Sequence, residues 1–546
     1  MTNVRLRKFH QARWDEPIIF ELSVPGRRGL IPPAPEEEIK EAVGDPKGLV
    51  PEEMLRKEPP ALPELDQKRV LAHYIHLAQE TLGGNLCNDI SQGTCTMKYN
   101  PRINEELAAH PGIASLHPWQ DVDTVQGILK IYFEFEEILK EISGMDKFSL
   151  HPQGGAHAVY TAASIMRAYH RDRGELDKRR EIISSAFTHP CDHAAPATAG
   201  FRLIILPPSE NGYPSVEAVK AAVSENTAGM FITNPEDTGI YNTEIDQFVK
   251  IVHDAGGLCF YDQANANVLL GIARAREAGF DMCHFNIHKT FGTPHGCSGP
   301  GLGALGVRDH LAKYLPIPTV EYDGTKYYLD FDRPHSVGKV RQFQGPAGVL
   351  VRTYAWVMTI GQEYLKEVSE ISTINHNYLQ KKLQEQIPEI EVPYAPGRKR
   401  LEEARYCWQK LLEATGVSTT DILRRVGDFG LQHYWTSHHP WVVPEPMTLE
   451  PCESYGKEDL DEYVAVLKHI RDEAYSDPEI VKNAPHKCAS HKLADESALD
   501  DPKRWATTWR AYVKKRKKNE VKAIDLNMPN CKTIASPRHC SVIKLN

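Results

Sequence analysis

The chain has 546 residues, which exceeds a typical single domain and predicts one large domain with a smaller companion. Hydrophobic residues make up 41% and charged residues 25%, a balance that supports a substantial core. The net charge of -9 argues against a nucleic-acid partner, and no apolar run approaches the roughly 20 residues that span a bilayer. The 11 cysteines form no CxxC pair, so we expect reduced thiols and a cytoplasmic protein, with an organelle as the alternative.

The first predicted elements are an arm and a helix. Residues 1–80 are taken as an extended N-terminal arm, because 31–64 is rich in proline and glutamate and shows little periodicity. In 118–143 apolar residues recur at helical spacing, and Gly144 follows as a stop signal, which predicts a helix.

Beyond this helix, strand-like runs alternate with helical stretches. This alternation predicts an α/β domain over 81–345 with a mostly parallel sheet, in which ligands collect at the carboxyl ends of the strands. The predicted strands are 181–187, 201–207, 228–235, 257–265 and 281–289, and the predicted helices between them are 156–171, 215–225 and 243–255.

After residue 345 the pattern becomes mainly helical and predicts a smaller α+β domain over 346–512. Its predicted helices are 348–387, 399–415 and 457–475. The tail at 513–546 contains KKRKK and is predicted to be a flexible basic appendage. The histidines at 433, 438 and 439 fit no standard ligand spacing, so no metal site is predicted.

Three segments near the predicted strand ends carry chemistry. Asp262 closes the apolar run GLCFYD, and Lys289 closes HFNIHK. The turn around Gly155 and Ala156 opens a helix whose free N–H groups suit a phosphate, with His157 in the first turn. A strand-end lysine, a buried aspartate and a phosphate cradle together match the needs of pyridoxal phosphate: a Schiff-base amine and a partner for the pyridinium nitrogen.

The chain resembles the glycine decarboxylase P-protein family, in the form in which the second of two subunits carries the cofactor. The resemblance runs from about residue 19 to about residue 505 and is most specific at CTMKYNP and HKTFGTPHG. The stretches that carry it are VPGRRG (24–29), CTMKYNPRINEELAAHPG (95–112), DVDTVQG (121–127), GGAH (154–157), YDQANAN (261–267), NIHKTFGTPHG (286–296), DRPHSVGKVR (332–341), LEPCES (449–454) and NAPHK (483–487).

The resemblance implies a fold-type-I pyridoxal-phosphate enzyme that decarboxylates glycine. The remaining aminomethyl group would pass to the lipoyl arm of a carrier, the H-protein, with a first P-protein subunit as partner in a homo- or hetero-oligomer. The resemblance implies that Lys289 forms the Schiff base, that Asp262 pairs with the pyridinium nitrogen, and that His157 stacks on the ring. It implies phosphate contacts for Gly155 and Ala156 and a pocket lined by His288, Thr94, Cys95 and Thr96. For proton transfer, His189 is favoured over His288 and His295.

Several loops depart from the family pattern. HPCDHAAPA (189–197) replaces HGTNPASA and puts Asp192 where members carry asparagine, and YDQAN puts Gln263 where they carry glycine. PHGCSGPG replaces a pure glycine run, and NPEDTG (234–239) replaces an NPNTLG-like turn. Asp192 and Gln263 are therefore candidates for the substrate pocket. Two alternatives stay open: a stand-alone decarboxylase or aminotransferase acting on another amino acid, and a non-catalytic partner subunit.

Overall fold

The computed structural model describes residues 4–14, 16–58, 60, 62–81, 90, 98–293, 301–431, 436–437 and 441–488. The chain forms two compact units. One comprises Met1–Phe9 with Leu82–Lys487, and the other comprises His10–Thr81 with Cys488–Asn546. Within the described ranges, none of the helices combines the length and the apolar character needed to cross a bilayer.

The unit containing His10–Thr81 has little regular structure in its described part. Its α-helices are α1 (Glu37–Val43) and α2 (Gln67–Gln79), and it has 3-10 helices at Ile19–Leu22, Pro46–Leu49 and Glu52–Met54. Helix α1 lies inside the stretch predicted to be extended. Glu37 and Glu38 occupy its first turn, where negative charge stabilises a helix.

The other unit is built on a seven-stranded sheet and two smaller sheets. Its strands are β1 (Lys147–Ser149), β2 (Glu181–Ser185), β3 (Arg202–Leu206), β4 (Thr227–Thr233), β5 (Leu258–Asp262), β6 (Met282–Asn286), β7 (Gly303–Val307), β8 (Thr319–Tyr322), β9 (Tyr327–Asp330), β10 (Ala404–Cys407) and β11 (Pro446–Leu449). The large sheet has the order β1-β7-β6-β5-β4-β2-β3. Strands β3, β2, β4, β5 and β6 run parallel, and β7 is antiparallel to both β6 and β1.

Successive side chains of the central strands enter two different hydrophobic cores. In β5, Cys259 and Tyr261 join one core, and Leu258 and Phe260 join the other. This alternation follows from the two-residue repeat of a strand, and burial on both faces explains why LCFYD is apolar until its last residue. The sheet is therefore covered by helices on both faces, which confirms the predicted α/β class with a mostly parallel sheet.

The helices of this unit are α3 (Arg102–Ala108), α4 (Pro111–Ala114), α5 (Gln126–Ser143), α6 (Gly155–Asp172), α7 (Cys191–Thr198), α8 (Val216–Ala222), α9 (Ile245–Asp254), α10 (Asp309–Ala312), α11 (Ala347–Gln386), α12 (Gln409–Thr415), α13 (Thr419–Gly427), α14 (Lys457–Ser476) and α15 (Pro478–Lys482). Helix α11 kinks at Gly361, whose φ of 71° is not helical. Its C-terminal half packs with α12–α14 and the β10–β11 pair around a separate hydrophobic core.

The predicted helices and strands beyond the N-terminal arm agree with the structure except in three places. The predicted helix 399–415 is wrong, because Ala404–Cys407 forms β10 and only Gln409–Thr415 is helical. The predicted helix 118–143 begins later, at Gln126, after a 3-10 turn at Val122–Thr124. Residues 191–198, expected as a loop, form α7 despite Pro196 inside it.

Candidate functional site

The candidate site lies where parallel strands of the large sheet end. Thr233 at the end of β4 pairs in register with Asp262 at the end of β5, and Asp262 pairs with His284 of β6. Because neighbouring parallel strands end at one edge of a sheet, the loops that follow them meet there. Asp262 is the last residue of β5, Lys289 lies in the loop after β6, and α7 follows β2 at the same edge.

Asp262 is a buried carboxylate with one unsatisfied oxygen. It is 1% exposed. Its Oδ1 accepts a hydrogen bond of 2.8 Å from the backbone N–H of Ala264, and His284 Nδ1 lies 3.5 Å from the same oxygen. Its Oδ2 has no hydrogen-bond partner among the described residues. A buried carboxylate oxygen without a donor is costly, so this atom suits a cationic or N–H group brought by a ligand.

Lys289 is buried beside the same groups as Asp262. Lys289 is only 4% exposed, and its backbone N–H donates a hydrogen bond to the carbonyl oxygen of Asn286 at 3.0 Å. Burial lowers the pKa of His284, the charge of Asp262 raises it and the charge of Lys289 lowers it. Both charges therefore act on one buried imidazole, which brings the predicted amine and the predicted carboxylate to the same region.

Helix α6 begins at Gly155, which the sequence assigns, with Ala156, to a phosphate. Among the described residues, no side chain caps this end. A Cβ at Gly155 would lie 2.8 Å from Nδ2 of Asn286, so only glycine lets this turn approach the end of β6. An uncapped start of an 18-residue helix presents N–H groups to an anion, and Ala156 lies in its first turn.

The predicted histidines lie around this edge and differ in their contacts. His157 is half-buried, and its Nδ1 accepts the N–H of Gln153 at 3.2 Å. Burial and the nearby charge of Arg341 lower its pKa. Nδ1 of His288 accepts the N–H of Leu302 at 3.2 Å. Nδ1 of His189 accepts the N–H of Cys191 at 3.1 Å and lies 2.9 Å from its sulfur.

The two residues singled out as departures are both buried. Asp192 is fully buried in the first turn of α7, and its Oδ2 accepts the hydroxyls of Thr188 at 2.6 Å and Thr233 at 3.3 Å. Burial first, and then the charge of Asp262, raise the pKa of Asp192 well above its usual range. Gln263 is 2% exposed, and its Oε1 has no hydrogen-bond partner in the described part of the chain.

A buried charged cluster near Lys289 was not anticipated from the sequence. Nη2 of Arg405 lies 2.6 Å from Oδ2 of Asp237, and its Nη1 lies 3.4 Å from Oε2 of Glu403. Burial raises the pKa of Glu402 and of Glu403 well above the usual range, and the charge of Lys289 opposes this in both. The signal was present in LEEAR (401–405), but these residues were assigned to a helix, where such charges face solvent.

Some predicted residues lie outside the described part of the chain. Thr94, Cys95 and Thr96 belong to this group, as do His295, Cys297 and Ser298 of the glycine-rich loop. The histidines at 433, 438 and 439 fall there too.

Comparison with known families and curated proteins agrees with the resemblance read from the motifs. The family "Glycine dehydrogenase, C-terminal domain" matches residues 368–488, and "Aminotransferase class-V" matches residues 150–400. A probable glycine dehydrogenase (decarboxylating) subunit 2 from Thermococcus kodakarensis is 46% identical over 515 residues, covering 94% of this chain and 99% of that protein. The corresponding protein of Caldanaerobacter subterraneus is 40% identical, covering 89% and 97%.

Solved structures share the fold. A crystal structure of glycine decarboxylase (P-protein) in inhibitor-bound form superposes with a TM-score of 0.65 at 21% identity, covering 81% of this chain and 99% of that one. A NifS-like protein superposes with a TM-score of 0.54 at 13% identity, covering 71% and 99%. At these identities the structures support the fold, whereas the curated relatives support the family. The chain belongs to the family of glycine dehydrogenase (decarboxylating) subunit 2.

Proposed function

We propose that this chain is the cofactor-bearing subunit of a pyridoxal-phosphate-dependent glycine decarboxylase. It decarboxylates glycine and passes the aminomethyl group to the lipoyl arm of H-protein. The observation that carries the proposal is the unsatisfied Oδ2 of buried Asp262, in the same buried region as the amine of Lys289. The relatives that cover nearly the whole chain bear the name of this enzyme.

The residues present fit pyridoxal phosphate. Lys289 would hold its aldehyde carbon covalently, Asp262 would pair with its pyridinium nitrogen, and the uncapped start of α6 at Gly155 and Ala156 would hold its phosphate. His157 would lie against the ring, with His288 at its edge. When bound, the coenzyme supplies a ring that accepts the electron pair left by departing carbon dioxide.

The chain's own groups would then bind, shield and move protons. Lys289, once released from the coenzyme, is an amine in a region from which water is largely excluded, so it can take or give a proton. His189 is the second proton carrier. It is half-buried and adjoins Cys191, and the charges of Asp262 and Lys289 both act on the pKa of the Cys191 thiol. The positions of Thr94, Cys95 and Thr96 as pocket lining remain part of the proposal.

The proposal extends to organisation and partners. Relatives named subunit 2 support a first P-protein subunit as partner, so we assign the chain to a hetero-oligomer that meets H-protein. Cofactor binding is assigned to 81–345, with 346–512 as the smaller domain, 1–80 as an arm and 513–546 as a basic tail. Free cysteines such as Cys191 and Cys259 in the described part support the reducing environment of the cytoplasm.

A second candidate keeps the cofactor and changes the substrate. Gln263 favours it, because its Oε1 is buried and without a hydrogen-bond partner in the described residues beside Asp262, where a polar substrate group would satisfy it. A non-catalytic role for the chain is disfavoured, because a subunit without turnover would not need both Lys289 and Asp262 in one buried region.

Borohydride trapping tests the proposal directly. The purified chain is loaded with pyridoxal phosphate, reduced, digested and analysed by mass spectrometry. The expected result is a phosphopyridoxyl group on Lys289, absent in Lys289→Ala and retained in Lys250→Ala, a matched control at an exposed ion pair on α9. Labelling elsewhere, or none, would contradict it. Adding glycine and larger amino acids to the loaded protein separates the two candidates, because only the true substrate shifts the absorbance of the coenzyme.

A further inference from the structure

Asp192 and Asp262 form a buried pair of carboxyl groups. Asp192 is 0% exposed and Asp262 is 1% exposed. A carboxyl oxygen of each, together with the sulfur of Cys191, lies within 4.8 Å of the others. Two ionised carboxylates at this separation, away from water, repel strongly, so one of the two must carry a proton.

Oδ1 of Asp192 and Oδ2 of Asp262 both lack a hydrogen-bond partner in the described residues, and burial, which raises the pKa of Asp192, places the shared proton on Asp192. Its Oδ2 accepts two hydroxyls, from Thr188 at 2.6 Å and from Thr233 at 3.3 Å, so the proton does not lie on that oxygen. Its Oδ1 has no partner in the described residues and is left to carry the proton. Oδ1 of Asp262 accepts a backbone N–H from Ala264 at 2.8 Å, which leaves its Oδ2 as the acceptor on the other side of the pair.

The other titratable groups around the pair do not reverse this assignment. On the segment of Asp192 these are His189, Cys191 and His193. Nε2 of His193 lies 2.9 Å from the carbonyl oxygen of Ser185, and burial raises the pKa of the Cys191 thiol, which keeps it neutral. From β6, His284 is kept neutral because burial lowers its pKa. Lys289 supplies positive charge, and this charge also acts on Glu402 and Glu403.

We propose that Asp192 is a positioning residue: as a neutral acid it donates a hydrogen bond to Asp262 and holds that carboxylate ionised and oriented towards the ring nitrogen of the coenzyme. An amide N–H can make the same donation, so asparagine is the conservative replacement and leucine, of similar size, is the disruptive one. The inference rests on the proposed function, because it takes Asp262 as the partner of the pyridinium nitrogen.

The first test measures coenzyme affinity in the full chain. The dissociation constant of pyridoxal phosphate is determined by fluorescence quenching for the wild type, Asp192→Asn and Asp192→Leu. Rescue by asparagine is expected: Asp192→Asn binds within about threefold of the wild type, and Asp192→Leu binds at least about tenfold more weakly. Equal weakening in both variants would overturn the inference, since it would mean that the carboxylate charge itself is required.

The second test needs no coenzyme and decides the question even if Asp192→Leu does not fold. A buried acid that stays neutral in the folded protein leaves folding stability intact at low pH. As pH rises, the same carboxyl group ionises in the unfolded chain but not in the folded one, so the protein becomes less stable. Asp192→Asn should therefore unfold at a higher temperature than the wild type at pH 8, with a smaller gap at pH 5. A variant less stable than the wild type at pH 8 would overturn the inference.

Asp281→Asn is the matched control. It makes the same chemical change at a buried aspartate whose Oδ2 accepts the N–H of Cys259 at 2.7 Å and lies 2.7 Å from Nε2 of His253. An amide puts an N–H donor in place of one of the two carboxyl oxygens that face His253 and His310, so this variant should lose stability. A wild type that binds no pyridoxal phosphate would refute the proposed function, whereas binding without the expected difference between variants would refute only the role of Asp192.

Discussion

The close approach of α6 to the end of β6 makes Gly155 a sensitive test of the cofactor cradle. Built on the backbone, a Cβ at Gly155 lies 2.8 Å from Nδ2 and 2.9 Å from Oδ1 of Asn286. Ordinary van der Waals contacts begin at 3.4 Å. In Gly155→Ala the added methyl group and the Asn286 amide must therefore move apart by about 0.6 Å, which pushes the start of α6 away from the end of β6. Asn286 is 7% exposed and adjoins His284, so it cannot swing into solvent.

The expected magnitude follows from two opposed effects. Alanine in place of helical glycine stabilises by up to about 1 kcal/mol, and overpacking of a tight contact costs about 1–3 kcal/mol. If about 1.4 kcal/mol of that strain falls on the cofactor-bound state, pyridoxal phosphate binds about tenfold more weakly. The displacement also reaches Asp262 through Asn286 and His284, which adds to the loss.

Gly127→Ala is the control, because it makes the same change near the start of α5 with nothing within 4 Å of the added atom. Both variants are titrated with pyridoxal phosphate, and their thermal unfolding is followed without coenzyme. Gly127→Ala should keep the wild-type dissociation constant and unfold at the same or a higher temperature. If Gly155→Ala binds the coenzyme as tightly as Gly127→Ala does, the start of α6 is not the cradle.

Three further perturbations test the buried charges and one helix cap. Arg405→Met leaves Asp237 and Glu403 without their cation, and should cost about 3–5 kcal/mol of folding free energy by denaturant titration; a loss below about 1 kcal/mol would contradict the pairing. Burial raises the pKa of Glu236 to about 8, so its contribution to stability is complete below pH 4.5 and is lost as pH rises to about 8. Glu236→Gln should therefore be more stable than the wild type at pH 8 and show a shrinking advantage towards pH 4.5, whereas a constant difference would refute this. Ser418 caps α13 through a capping box, so Ser418→Ala should lower the free energy of unfolding by about 1 kcal/mol. An unchanged unfolding midpoint would show that this cap does not stabilise the protein.

The central sheet could be predicted because its strands are buried on both faces. Runs such as LCFYD are continuous apolar segments that end at one polar residue, so the sequence locates both the strand and the chemistry at its end. Asp262 was found in this way, whereas Lys289, predicted to close a strand, lies in the turn after β6. Strand β7 pairs antiparallel with β6, but nothing in GALGV indicates direction, because strand direction is set by the tertiary path.

The sequence could not reveal contacts between distant residues. Thr188 and Thr233 bind the same carboxyl oxygen from 45 residues apart, and neither threonine has a pattern that links it to Asp192. Strand β10 was misassigned because its charged residue Arg405 looks solvent-exposed, whereas it is buried by pairing with Asp237. Pairing of charges in space overrides the periodicity on which prediction depends.

Exchange of glycine's carboxyl group with labelled bicarbonate tests whether this chain decarboxylates glycine through Lys289. The chain is mixed with pyridoxal phosphate, a first P-protein subunit, lipoylated H-protein, glycine and isotopically labelled bicarbonate, and label in glycine is counted. We expect incorporation by the wild type that is abolished in Lys289→Ala and unaffected in Lys250→Ala. Incorporation by Lys289→Ala equal to that of the wild type, or none by the wild type with all components present, would contradict it.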